Sequence, residues 1–395
     1  MMSEDRVIGW DIGGAHVKAC LLERGEVVEV AQWACPLWLG LDRLGAVLDA
    51  ALARWPGPQA RQHVVTMTGE MVDLFANREV GVRGIAAELV LSLAGPQALV
   101  AGDGVHFFAG DAGWCRSTDV ATQWEAIASA NWLATARHAA QQHGEGVLVD
   151  IGSTTTDLIA FRGGRVLTHS RTDAQRLARG ELVYHGVVRT PLCALAQRID
   201  WQGTPHNVMN EFFATTADVY RLTGELNPAH DLYPSADNAA KDLPATRQRL
   251  ARMIGLDQRD AAPDDWLAFA RQWRRAQVME LGAQLRRVMT EHGLGAGAGA
   301  RIVSAGCGDF LVGDVLAEAQ SALTAQTAET AAPAQSAAPA TTPSAPAAGL
   351  RLAAYGHDVA RVSVQARPSC AEVQAWAQVC APCVAVAALF DMERR

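Results

Sequence analysis

Short apolar runs, each closed by a turn and answered by a second run, set the pattern of this chain. Val7–Trp10 leads into Asp11-Ile12-Gly13-Gly14 and returns as Val17–Cys20, and Glu26–Val30 follows. Apolar runs of this length bounded by glycine turns predict a three-stranded meander. A helix is predicted around Leu41–Arg54, then a buried strand over Val64–Glu70 that ends in polar groups. A helix at Gly84–Leu93, a short strand at Ala98–Ala101 and a helix over Asp119–Gln142 complete a first α/β unit. The pattern then restarts. Val147–Val149 leads into Asp150-Ile151-Gly152-Ser153-Thr154-Thr155-Thr156-Asp157 and returns as Leu158–Ala160, with three strands reaching to about Ser170.

From Trp201 to Glu291 the spacing turns mostly helical, over Arg247–Ile254 and Asp264–Thr290, which predicts a helical insertion on the second unit. Arg301–Ala305 reads as a further buried strand, closed by Gly306-Cys307-Gly308-Asp309 and a helix start. Residues 319–349 are almost all Ala, Pro, Thr, Ser and Gln, with Glu329 the only charge. Such a stretch buries too little apolar area to offset its conformational entropy and is expected to be a disordered spacer. Cys370–Phe390 predicts one apolar helix or two. The expected layout is a first lobe over 1–145 and a second over 146–318 with an insertion at about 201–291. The spacer at 319–349 follows, and 350–395 closes the second lobe with a C-terminal helix.

Length and charge narrow the chemistry. A chain of 395 residues is too long for one small core, and two domains are expected. A net charge of −8 argues against nucleic-acid or anionic-membrane binding, so an anion site must be a local arrangement of amides, metal and a few cations. The eight cysteines are scattered and no basic-then-apolar leader is present, which points to a reduced, cytoplasmic setting. No apolar run reaches the roughly 18–20 residues of a membrane span.

The repeated Asp-Ile-Gly hairpin is the main candidate site. Glycine lets backbone N–H groups approach a phosphate closely, and an adjacent carboxylate can hold a hydrated Mg²⁺ bridging phosphate oxygens. Two such hairpins predict two similar lobes and a shared phosphate-binding cleft. Asp11 and Asp150 are the metal-holding carboxylates, and Gly13, Gly14, Gly152, Ser153, Thr154 and Thr155 donate to phosphate oxygens. Lys18 stands in an apolar strand and either snorkels to solvent or reaches a phosphate. Asp157 either binds metal-bound water or stabilises its turn. Glu70, just past a buried strand, is the candidate general base, or else a carboxylate favoured by a helix N-terminus. Arg78 and Arg83 either clamp a diphosphate or lie on the surface. Asp103, Asp111 and Ser129–Trp132, with Asn131, are candidates for the substrate pocket. Arg179–Tyr184 and Val187–Pro191 are candidates for an opposing wall; both sets read equally as ordinary surface and core residues. Cys380 and Cys383 have CxxC spacing without the strand context of redox proteins.

Together with Val303–Gly308, the paired hairpins make the chain resemble the actin/hexokinase/Hsp70 superfamily. It is similar within that group to the hydantoinase A/oxoprolinase branch and to tetrahydromethanopterin-linked one-carbon pathway proteins. The narrower likeness rests on Trp10–Lys18, Thr66–Gly84, Phe108–Asp111, Ala128–Ala134, Asp150–Asp157, Arg179–Pro191 and Cys380–Ala387. The resemblance implies an α/β fold of two ribonuclease-H-like lobes, with Gly306 and Gly308 on the nucleoside side of the pocket. It also implies an Mg²⁺-dependent transferase of methanofuran biosynthesis. That enzyme joins an aminomethylfuran-methyl diphosphate to a phenolic amine, (γ-glutamyl)tyramine or tyrosine, as an aryl ether. An ATP-dependent amidohydrolase, a small-molecule kinase and a nucleotide-regulated scaffold are the rivals, and ATP is the ligand that separates them. Oligomeric state stays open, a homodimer included.

Overall fold

The computed structural model describes residues 6–56, 61–94, 104–294, 299–330 and 350–395. The strand expected at Ala98–Ala101, the candidate Asp103 and residues 331–349 of the expected spacer lie outside the described residues. The chain forms two compact units, one from residues 1–145, 161–175 and 353–395, the other from 146–160 and 176–352.

In the first unit, β1 (Arg6–Ile12), β2 (His16–Glu23), β3 (Glu26–Ala34), β4 (Arg61–Met67), β5 (Val105–Phe108) and β6 (Trp114–Arg116) form one sheet. Its order is β3-β2-β1-β4-β5-β6, with β1 antiparallel to β2 and parallel to β4. The central strand β1 is covered on both faces. Ile8, Trp10 and Ile12 join a core with Leu44 and Leu48 of the helix Asp42–Arg54 and with Ile85 and Leu89 of the helix Arg78–Ala94. Gly9 points the other way, toward the C-terminal helix Ala381–Arg394, so closely that a Cβ there would lie 2.1 Å from the Cys383 carbonyl oxygen.

That contact corrects the expected layout. Residues 353–395 belong to the first unit, because the apolar face of the C-terminal helix is buried on β1, β2 and the helix Asn131–Gln142. Two helices stand where one or two were expected, Cys370–Val379 and Ala381–Arg394, meeting at a 101° bend. Among the described residues no single helix is long and apolar enough to cross a membrane. The single helix expected over 119–142 is also divided, into Val120–Ile127 and Asn131–Gln142. Ala128 bridges to Met67 of β4 and Ser129 takes a left-handed φ of 50°, which no continuous helix permits.

The same plan recurs in a second sheet, with β7 (Glu145–Ile151), β8 (Thr156–Arg162), β9 (Arg165–Val166) and β10 (Leu182–Val183). A hairpin of β11 (Arg198–Trp201) and β12 (Thr204–Asn207) follows, then β13 (Arg301–Ala305) and β14 (Arg351–Ala354). The sheet order is β10-β8-β7-β13-β14, with β9 beside β8 and β7 parallel to β13. The hairpin opens a region expected to be mostly helical, and the helices Thr216–Thr223, Leu243–Arg252 and Pro263–Glu291 complete it. A helix over Val312–Thr330 runs through the first part of the expected spacer. That part is rich in alanine, the residue of highest helix propensity.

The internal repeat is therefore structural. Each unit has an antiparallel hairpin on one side of its central strand and a parallel strand on the other. The registers correspond too, Asp11 facing Thr66 and Asp150 facing Ala305. This is the α/β plan of two ribonuclease-H-like lobes, the actin-like ATPase fold, with a largely helical insertion in the second. Because the obstacle above Gly9 is backbone, Gly9→Ala should lower stability by about 1–3 kcal/mol, measured as a shift in the urea midpoint. An unchanged midpoint would show that the helix moves aside freely.

Candidate active site

The two turns share one hydrogen-bonding scheme. Gly13 N–H donates to the His16 carbonyl at 2.9 Å, and Gly152 N–H donates to the Thr155 carbonyl at 2.8 Å. Neighbouring segments occupy the turn carbonyls. Leu37 N–H donates to Gly14 O at 3.1 Å and Cys35 N–H to Ala15 O at 2.9 Å. In the second turn, Val187 N–H donates to Gly152 O at 3.0 Å, while those of Val188 and Arg189 reach Ser153 O at 3.1 and 2.9 Å. The amides of Gly14, Ser153 and Thr154 have no hydrogen-bond partner among the described residues. A turn whose carbonyls are spent and whose N–H groups have no protein partner favours an oxyanion.

Tight packing holds both turns in that state. A Cβ on Gly14 would lie 2.7 Å from Val72 Cγ1, and one on Gly186 would lie 2.3 Å from the Ser153 carbonyl carbon. Gly186 is itself fixed, its N–H donating to Thr190 Oγ1 at 2.8 Å and its carbonyl accepting from Gln277 Nε2 at 3.1 Å. Tyr220 O–H donates to Gln277 Oε1 at 2.7 Å and completes a buried polar chain beneath the turn.

Asp11 is buried, with Lys18 Nζ 4.0 Å from its Oδ2; that ammonium also donates to the Val379 carbonyl at 3.4 Å. Lys18 thus reaches the carboxylate of the first turn. Around Asp150 the wall is glycine, and a Cβ on Gly306, which holds a φ of 85°, would lie 2.6 Å from Asp150 Oδ1. Gly308 N–H donates to the Ile151 carbonyl at 2.8 Å, and its bare Cα fits against Ile151 and Val187. Asp157 is held by the buried Arg176 guanidinium, which gives it a turn-stabilising partner.

Among the described residues the most buried acid is Glu70, 1% exposed, in a single-turn helix after β4. Its Oε1 accepts from Ser129 O–H at 2.7 Å and from Arg78 Nη2 at 3.3 Å. Arg78 also donates to Ser129 Oγ at 2.8 Å and stands 3.6 Å from Asp173. Oε2 is buried with no hydrogen-bond partner among the described residues. Burial pushes the Glu70 carboxyl above the ordinary carboxylate range, against the opposing pull of Ser129, its own backbone amide and Arg78. Gly81 makes the arrangement possible, since a Cβ there would lie 2.5 Å from the Glu70 carbonyl oxygen.

Other candidates have local partners. Arg83 pairs with Glu79 on the exposed face of its helix, and Asp111 lies between Arg137 and Arg171. Asn131 Oδ1 accepts from Trp132 N–H at 2.8 Å at the start of its helix. Cys380 and Cys383 are fully buried at the helix bend. Among the described residues no three His, Cys, Asp or Glu side chains converge as a metal cage. Mg²⁺ needs no such cage, because it keeps several waters and takes phosphate oxygens with one or two carboxylates. Asp11 and Asp150 at their strand ends fit that use.

Sequence reasoning passed over Gly186, whose only signal was the glycine itself. Ser129 was expected to line the substrate pocket; it instead holds Glu70, from a left-handed backbone that no sequence pattern marks. Arg189 was a candidate for an opposing wall. The Arg189 guanidinium lies 5.9 Å from the centre of the Tyr233 ring, beside the second turn.

A duplicated strand-turn-strand, each copy with a parallel partner strand, gives this chain the actin-like ATPase fold, and relatives named as synthases mark it as an enzyme. Residues 61–341 match the family model described as Hydantoinase/oxoprolinase, and the chain belongs to that family. It is similar to (4-{4-[2-(gamma-L-glutamylamino)ethyl]phenoxymethyl}furan-2-yl)methanamine synthase of Methanocaldococcus jannaschii. The two are 29% identical over 265 residues, covering 67% of this chain and 76% of that protein. The enzyme of the same name from Methanococcus vannielii is 28% identical over 172 residues, 44% of this chain and 75% of that protein. Among solved structures, nucleotide-free acetone carboxylase aligns with a TM-score of 0.48 at 11% identity, over 78% of this chain and 66% of that chain.

The Glu70 environment has a pH signature. Its carboxyl binds a proton more tightly folded than unfolded, so the stability contributed by that proton is fully present below the unfolded value near 4.5. It is lost as pH rises through the higher folded value. Glu70→Gln should therefore gain stability relative to wild type as pH rises from about 4 to about 8, read from urea midpoints. A difference that does not change with pH would show that Glu70 is not perturbed.

Proposed function

We propose that this enzyme forms the aryl ether of methanofuran, or of a methanofuran analogue. It would condense an aminomethylfuran-methyl diphosphate with the phenol of tyramine, γ-glutamyltyramine or tyrosine, releasing diphosphate. The archaeal relatives are named for a phenoxymethylfuran, a product whose ether joins a phenol oxygen to a furan methylene carbon. The observation that carries the reading is the buried Glu70 carboxylate. One oxygen is tied to Ser129 and Arg78, and the other has no partner among the described residues.

In this reaction the bond between the methylene carbon and the diphosphate oxygen breaks, and its electron pair leaves with diphosphate. The phenol oxygen bonds to the same carbon, and its proton passes to Glu70 Oε2. Furan oxygen shares the positive charge that builds on the methylene, so the leaving group carries much of the barrier. The open amides of Gly14, Ser153 and Thr154 donate to phosphate oxygens, and Lys18 adds a positive charge beside the first turn. Asp11 in the first unit, or Asp150 in the second, would hold Mg²⁺, which when bound neutralises charge on the diphosphate. A phenol has an unperturbed pKa of about 10, so its attack at neutral pH needs a base, and a carboxylate of raised pKa is a stronger base than an ordinary one. Ser129 and Arg78 act as positioning residues, leaving Oε2 to take the proton.

Purified protein, the furan diphosphate and a panel of phenolic amines should yield an ether product by mass spectrometry and release diphosphate without ATP. Glu70→Gln should reduce turnover on the order of 100-fold or more while KM for the furan diphosphate stays nearly constant. Wild-type turnover by Glu70→Gln at saturating substrates would remove Glu70 from the mechanism. ATP consumption without ether formation would overturn the synthase reading itself.

A further inference from the structure

At the far end of β2 from the first turn, about 25 Å along the strand, the first unit has a cavity of about 590 Å³. We propose that it binds a small organic oxyanion, a carboxylate or phosphate ester on an apolar body. The proposal is independent of the synthase reading.

The polar part of the cavity is unevenly compensated. Asp391 is buried and already bonded to Arg395 and Arg394, at 2.8 and 3.2 Å. Arg24 and Arg361 also line the cavity, and neither guanidinium makes a hydrogen bond or ion pair among the described residues. Glu26, the remaining carboxylate in the lining, pairs with neither. His138 faces the same space from below, its Nδ1 2.7 Å from the Tyr355 hydroxyl. Burial and the nearby Arg361 push its pKa down to about 4, so near neutrality it offers hydrogen bonding without charge. Val27, Val362, Val384 and Ala388 supply an apolar floor. Two uncommitted guanidiniums above such a floor match an anionic head on an apolar body, and the volume falls within the usual range for small-molecule sites.

A second observation points the same way. Arg24 and Gly25 form the two-residue turn between β2 and β3, with φ of 56° and 82°. That turn favours Asn, Asp or Gly at its first position, and a long side chain there is strained. Backbone strain at a position that holds an uncommitted cation over a cavity marks function more than folding.

Glycine accepts the same φ, so Arg24→Gly removes the cation without breaking the turn. By titration calorimetry, hexanoate or benzoate should bind wild type and lose about 10-fold or more in affinity in Arg24→Gly and in Arg361→Ala. The melting temperature of Arg24→Gly should equal or exceed that of wild type. Hexyl phosphate in a parallel titration distinguishes a phosphate head from a carboxylate, and inorganic phosphate should bind more weakly than either amphiphile. The proposal fails if no probe binds wild type, if affinity is the same in both variants, or if inorganic phosphate binds as tightly as hexanoate. A marked drop in melting temperature for Arg24→Gly would also overturn it, because Arg24 would then be structural.

Discussion

A strand that ends in a carboxylate and must turn back within four residues has few ways to keep its amides open. Both hairpins meet this constraint in the same way. One amide of each turn closes the turn on itself, through Gly13 or Gly152, and the turn carbonyls are handed to a neighbouring segment. That use of the carbonyls dictates much of what surrounds them. Leu37 must follow a buried Cys35, Val72 must lie against Gly14, and Gly186 must lack a side chain to approach Ser153. An unpaired buried amide is costly, so open N–H groups persist only where an anion or water can reach them.

Glu70 shows the opposite economy. Its carboxylate is more deeply buried than those of Asp11 and Asp150, and it is kept there by a hydroxyl and a guanidinium on one oxygen. The surrounding backbone accommodates this at two special positions, the left-handed Ser129 and the side-chain-free Gly81. Desolvation that would merely destabilise a structural acid raises the basicity of a catalytic one.

The C-terminal helix ties these features to the rest of the first unit. Its first turn lies over Gly9, while its last turn meets the β2–β3 hairpin through Asp391 and Arg395. The helix therefore runs beside both ends of the strand pair that carries Asp11 and Lys18. Its burial accounts for its apolar composition.

Much of the fold was legible from local pattern. Both hairpins, the strands Arg61–Met67 and Arg301–Ala305 and the long helix Pro263–Glu291 follow from apolar period and turn residues within a few positions of one another. The same local logic marked Asp11, Asp150, the turn glycines and Glu70. What the sequence alone determined is thus the repeated strand-turn-strand and the residue types that its turns require. Tertiary structure decided which partners those residues have. Arg78 turns to Glu70 and Ser129, Asp157 to Arg176 and Asp111 to two arginines, and the C-terminal helix joins the first unit. These outcomes depend on contacts between segments tens to hundreds of residues apart, such as Gly9 with Cys383, and no local period encodes them. The broken helix at Ser129 follows from the same cause, because its left-handed turn is fixed by the Ala128 bridge to Met67 of β4.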